Sequence, residues 1–211
     1  MFKWSTLKKL IWQRAALGKS LPDGYKRVIG FKCSGDTYYK ITDVKLSGSD
    51  TVKFSISVTA PCNVFGCYTN TSATDNYSLY VSTSSGSKYL RYNGGAYKSY
   101  WASSALDQRF DITITPTGSY GMPSGQDDTW EEAEFTGSVD MCIGTTSTGA
   151  TSAKLKGNLY DTFRVIDSTG ENKFYGIPCE RLSDNALGYY DTVSETFFEP
   201  TGTAPVSLGY S

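Results

Sequence analysis

An all-β, antiparallel β-sandwich is predicted for the chain from about Leu21 to its end, and three observations predict it. Apolar and polar residues alternate with a period of two in several segments. Clusters of Gly, Ser, Asn and Asp punctuate those segments at turn positions. The composition supplies strand and turn formers, with 16 Tyr and 21 Gly, and lacks long runs of Ala, Leu, Glu and Lys. A length of 211 residues suits one such domain with a sizeable core.

The first element is the exception. Over residues 4–17, Leu7, Leu10, Ile11 and Ala15 recur at helical spacing, with Lys8, Lys9 and Arg14 off that stripe. Gly18 is a natural stop for a short amphipathic helix. The turn Leu21-Pro22-Asp23-Gly24-Tyr25 follows and divides the chain into a basic helical anchor, 1–20, and a sandwich, 21–211. Beyond it the clearest strand is 51–59, where Val52, Phe54, Ile56 and Val58 share one face. Residues 110–115 repeat the pattern, and further strands are expected at 63–68, 76–82, 87–92, 138–143, 159–166 and 173–178. Many short alternating strands imply two packed sheets, and no fixed-period repeat suggests a propeller or solenoid.

Charge and residue usage narrow the function. Residues 1–20 carry Lys3, Lys8, Lys9, Arg14 and Lys19 without an acid, which leaves 15 basic and 21 acidic residues in the body. A net-acidic body is a poor match to nucleic acid. The absence of histidine removes His-based catalysis and His metal sites. Five cysteines at scattered spacings, with no CxxC pair, are expected to be buried thiols of a protein folded in a reducing cytosol, although Cys62 and Cys67 are near enough in sequence to pair. The run Leu10-Ile11-Trp12 is too short for a membrane span or a signal core, so neither a membrane partner nor secretion by that route is expected.

Several segments together resemble concanavalin A-like (laminin G-like) jelly-roll domains of phage and gut-bacterial proteins. They are Leu21-Pro22-Asp23-Gly24-Tyr25 with Ser34-Gly35-Asp36-Thr37-Tyr38-Tyr39, then Ala153–Tyr160 leading into Phe163–Asp167. Ile177-Pro178-Cys179, Gly188-Tyr189-Tyr190-Asp191 and Glu195-Thr196-Phe197-Phe198 complete the set. The resemblance spans roughly residues 21–205 and implies a jelly-roll sandwich on a virion or cell surface. The chain departs from it in the basic helix and in the segment Ile29–Cys33, which lacks the expected acids. The family's hydrolases carry a Glu-x-Asp-x-x-Glu strand. Glu131-Glu132-Ala133-Glu134 lacks its Asp and its final spacing, and although Glu132 and Glu134 alternate onto one face, no catalytic residue is assigned.

Two groups of residues stand out as binding candidates. Tyr89, Arg91, Tyr92, Asn93, Tyr97, Tyr100 and Trp101 surround an Asn-Gly-Gly turn, and rings with nearby amide and guanidinium groups suit the flat faces and hydroxyls of a glycan. The same rings can instead fill a core. Trp4, Leu7, Lys8, Leu10, Ile11 and Arg14 suit docking onto a scaffold, self-bundling or an anionic surface. Asp36, Asp43, Asp50, Asp75, Asp127 and Asp128 match no calcium loop and read as turn residues, so no metal or cofactor is expected. The resulting expectation is a phage virion structural protein, a capsid decoration or head-fibre subunit, non-enzymatic and self-associating as a trimer. It would assemble in the host cytoplasm and act on the virion surface, docked by residues 1–20 to a capsid or tail protein. The alternative is a carbohydrate-binding module of a fibre or cell-surface protein, with a glycoside hydrolase third.

Overall fold

The computed structural model describes residues 20–68, 76–81, 88–92, 96–99, 106–121, 128–129, 137–146 and 154–211, and every regular element among them is a strand. The helix expected over 4–17 lies outside the described residues. In chain order the strands are β1 (Tyr25–Arg27), β2 (Gly30–Ser34), β3 (Tyr39–Ile41), β4 (Thr51–Val58), β5 (Cys62–Tyr68) and β6 (Asn76–Val81). β7 (Lys88–Tyr92), β8 (Ala96–Ser99), β9 (Phe110–Thr115), β10 (Gly118–Tyr120), β11 (Asp128–Thr129) and β12 (Met141–Ile143) follow. The last five are β13 (Lys156–Ile166), β14 (Asn172–Arg181), β15 (Ala186–Asp191), β16 (Thr196–Phe198) and β17 (Val206–Ser207).

All pairings are antiparallel, and they form two sheets. The larger runs β11-β10-β9-β4-β13-β14-β15-β16 with β1, β2 and β17 off that path, and the smaller runs β3-β12-β5-β6-β7-β8. The alternation read from residues 51–59 holds on the inner side, since Val52, Phe54, Ile56 and Val58 are all buried in the shared core. Tight hairpins set the C-terminal register. Asn185 and Glu195 take left-handed backbone (φ 59° and 56°) in the turns that follow β14 and β15. The buried Asp191 carboxylate accepts from the Tyr175, Val193 and Ser194 amides, holding the second turn onto β14.

The larger sheet is forked. β4 follows one edge of β13 from Gly157 to Ile166. On the other edge, Lys156–Tyr160 pair with β2, whereas Phe163–Ile166 pair with β14. β14 in turn goes on to pair with β1 through Cys179–Arg181. Val28–Gly30 and Leu208–Gly209 fill the gap. Val28 N donates to Pro178 O at 3.0 Å, Asp161 N to Ile29 O at 2.9 Å, Ile29 N to Gly209 O at 2.8 Å and Leu208 N to Gly30 O at 3.0 Å. Pro178 is tolerated inside a long strand because it sits where β14 changes neighbours, so its missing N–H removes no ladder bond. The exchange also bends β13. Its register with β4 shifts between Tyr160 and Arg164, and Asp161 there has φ 52°. Two glycines make the crowding possible. A Cβ on Gly30 would lie 2.1 Å from Leu159 O, and one on Gly157 (φ 148°) would lie 2.0 Å from Ser57 O.

Between the sheets runs a chain of rings. Phe54 and Phe163 stack at 5.2 Å, Phe65 of the smaller sheet meets both edge-on, and Tyr77 adjoins Phe65. Phe174 links Phe163 to Tyr189, which packs edge-on against Phe31 at 5.2 Å and Tyr39 at 5.1 Å. Each such contact adds about 1 kcal/mol beyond simple burial. An ion pair between the partly exposed Lys173 and the buried Asp50 ties the 44–50 loop to β14. Lys173 Nζ lies 2.8 Å from Asp50 Oδ2 and also donates to the Lys45 carbonyl, while Asp50 accepts from Ser47 N at 2.7 Å.

All five cysteines are buried free thiols, Cys62 and Cys67 included. Burial pushes Cys33, Cys67 and Cys179 up to about 12, and Cys62 and Cys142 to about 11. Their thiolates are therefore scarce at neutral pH.

Two predictions follow from these constraints. Gly30→Val should destabilise the fold by about 3 kcal/mol in denaturant titration, because the new side chain meets backbone that cannot retreat. A thiol reagent at pH 8 should leave the folded protein unlabelled and react with all five cysteines once it is unfolded, as read by mass spectrometry.

Candidate functional site: the two outer faces

With the core filled, the chemistry available to a partner lies on the faces turned away from it. On the smaller sheet, backbone register places the glycan candidates. Arg91 pairs with Tyr97 and Ser78, Tyr89 pairs with Ser99 and Tyr80, and Tyr92 pairs with Ala96 and Tyr77. Directly opposed residues share a face. Positions 89, 91 and 97 thus lie on one face with Ser78, whereas position 92 lies on the face of the buried Tyr77. The candidates divide between the two faces rather than forming one cluster. Asn93, Tyr100 and Trp101 lie outside the described residues. The row through Arg91 and Tyr97 continues across Ser78, Gly66, Cys142 and Lys40. Small side chains therefore occupy its centre, and Thr146 lies over Gly66, where an added Cβ would come within 3.1 Å of the Thr146 Cα.

The outer face of the larger sheet carries a hydrogen-bonded network that single-segment reading missed. Asn158 Nδ2 donates to Ser57 Oγ at 3.0 Å and to Tyr160 Oη at 2.9 Å. Ser55 bonds Asp111, whose neighbour Arg109 bonds Asp161 and lies over the Tyr160 ring at 4.8 Å. Ser55 and Ser57 fall on the expected wet face of β4 and yet are buried, because these side chains cover them. The network spans β4, β9 and β13, so only register reveals it. The one local signal is the polar half of the alternation, Ser55, Ser57 and Asp111. The hydroxyls, the amide and the carboxylates of this network satisfy one another.

Of the carboxylates expected to be turn residues, Asp36 and Asp43 are exposed in a bend and a turn, whereas Asp50 is buried and Asp128 stands in β11. Asp36 lies 2.8 Å from Lys154 Nζ, whose hydrogen bond and charge hold its carboxyl below the usual range. Asp43 sits in a turn with φ 65°, and Asp50 forms the ion pair with Lys173. Among the described residues, no group of three His, Cys, Asp or Glu side chains could hold a metal ion. Asp75, Asp127, Glu132 and Glu134 lie outside them. So do the docking candidates Trp4, Leu7, Lys8, Leu10, Ile11 and Arg14. The end of the chain that follows them is well placed, however. Leu182 N donates to Gly24 O, Lys26 Nζ lies 3.5 Å from the Tyr210 ring centre, and Tyr210 Oη donates to Glu180. The segments entering and leaving the sandwich thus lie side by side.

No family model and no curated protein sequence matches the chain. Among solved structures it is similar to a crystal structure of native heptameric SAP-like pentraxin from Limulus polyphemus. That likeness has 15% identity and a TM-score of 0.45, and it covers 70% of this chain and 78% of the other.

Proposed function

We propose that the chain is a display and adhesion domain, a virion structural protein of a bacteriophage in the role of capsid decoration or head-fibre subunit. Residues 1–20 dock it to a capsid or tail protein, and the sandwich, of concanavalin A-like jelly-roll type, projects outward to bind host or mucosal glycans. The observation that carries the adhesive part is the register of β6, β7 and β8, which sets Tyr89, Arg91 and Tyr97 on one face of the smaller sheet near its edge. Rings beside a guanidinium suit a sugar, and weak single sites gain strength when many copies on one particle engage together. The docking part rests on the contrast between a segment of five basic residues and a net-acidic body. Self-association, with a trimer as the expected form, would supply the first level of multivalency.

A carbohydrate-binding module of a fibre or cell-surface protein is the second reading, favoured by the same register but without the virion. One pair of measurements separates them. Glycan-array binding should fall at least tenfold in Tyr97→Ala with the fold intact. Deletion of residues 1–20 should leave that binding and the thermal midpoint unchanged while abolishing incorporation into particles. Incorporation that survives the deletion would remove the anchor, and an array without any bound glycan would remove the adhesive role.

A further inference from the structure

The larger sheet presents a second row that the glycan candidates do not include. Register aligns Tyr120, Thr113, Lys53, Arg164 and Tyr175 across β10, β9, β4, β13 and β14. These five positions lie on the outer face, since the residues flanking them, Val52, Phe54, Ile112, Ile114, Phe163, Val165 and Phe174, are core. At about 4.8 Å between strands, the row is about 19 Å long. Its centre places two cations directly opposite each other, Lys53 against Arg164. Like charges in that position work against pairing. No carboxylate among the described residues forms an ion pair with either. Arg164 instead donates Nε and Nη2 to the neutral Asn172 Oδ1, at 3.2 and 3.0 Å, and stacks over the Tyr175 ring at 4.9 Å. An adjacent row holds Asp111, and both it and Asp161 at the bend of β13 are bound to Arg109. The body as a whole is net acidic, so two adjacent cations with no carboxylate partner among the described residues, in a row that ends in aromatic rings, are out of keeping with it.

From this juxtaposition we infer that the outer face of the larger sheet binds an acidic oligosaccharide along the row, with a carboxylate or sulfate between Lys53 and Arg164 and sugar rings toward Tyr120 and Tyr175. An anion there resolves the like-charge opposition that the described residues leave standing. Tyr120 is 42% exposed and offers its ring to solvent at the far end. Thr113 supplies a hydroxyl beside Lys53. Single-stranded nucleic acid shares the need for rings and cations, but its affinity comes from many phosphate contacts, and a row with two cations neutralises few. The inference deepens the adhesive reading and depends on it.

The test uses the full chain, titrated with an oligogalacturonate and with a neutral galactan oligomer of equal length and followed by backbone NMR shifts. The uronate should perturb Lys53, Thr113, Arg164 and Tyr175 and bind about tenfold more weakly in Lys53→Gln and in Arg164→Gln, with Tyr97→Ala unaffected. Lys53→Glu should abolish uronate binding and yet raise the thermal midpoint by about 2 °C, because it turns a repelling pair into an attracting one. Loss of binding through damage to the fold would instead lower that midpoint. Uronate affinity unchanged in Lys53→Gln and Arg164→Gln, equal affinity for the neutral oligomer, or tighter binding of a single-stranded oligonucleotide to the same row would each overturn the inference. If the neutral oligomer still bound through Tyr97 in those cases, the adhesive reading would survive the loss of this site. If neither sugar bound anywhere, both would fall.

Discussion

The change of partner along β13 is the constraint on which the rest of the structure depends. A strand that keeps β4 on one edge while exchanging β2 for β14 on the other must bend, and the shift at Asp161 is where it does so. The exchange leaves a wedge that is filled by Val28–Gly30 on one side and Leu208–Tyr210 on the other. Gly30, Gly157 and Pro178 make sense together in that setting. Two lie where a Cβ would strike a neighbouring carbonyl, and the third lies where a ladder donor is not required.

The fork also determines what the outer face can present. Asn158 and Tyr160 stand on the part of β13 paired with β2, and Arg164 stands beyond the bend, beside Tyr175. The bend therefore separates a self-satisfied polar network from a cationic row on one face. On the opposite sheet, small residues occupy the middle of the row that leads to Arg91 and Tyr97. An aromatic core lies between the two sheets, and backbone register fixes the order of residues on each outer face.

Much of this architecture was legible in the sequence, and the remainder was hidden for physical reasons. Strands β4 and β9 announced themselves because one of their faces is apolar at every second residue, and the Ile177-Pro178-Cys179 and Gly188–Asp191 segments fell into adjacent strands as the resemblance implied. Short strands such as β3, β10 and β17 escaped notice because two or three residues cannot display a period. The expected strand 138–143 shrank to Met141–Ile143, as residues 137–140 form the approach to it, bonding back to the 44–46 segment. The site candidates fared differently. A cluster around one turn looked coherent along the chain, but alternation sends Tyr92 to the face opposite Arg91 and Tyr97. The Ser57–Asn158 bond, the Arg109–Tyr160 contact and the Lys53–Arg164 opposition join residues 51 to 111 positions apart, so only pairing brings them together.

Hydrogen exchange on a chain cut after Pro205 tests the fork most directly. Removing Val206–Ser211 takes away the C-terminal half of the wedge. Amides of β2 and of the Lys156–Tyr160 part of β13 should then exchange at least tenfold faster, while those of β5 and β12 in the smaller sheet keep their protection. Unchanged protection along β2 and β13, or an equal loss across both sheets, would contradict the view that the chain's ends hold this fold open at its branch and closed at its core.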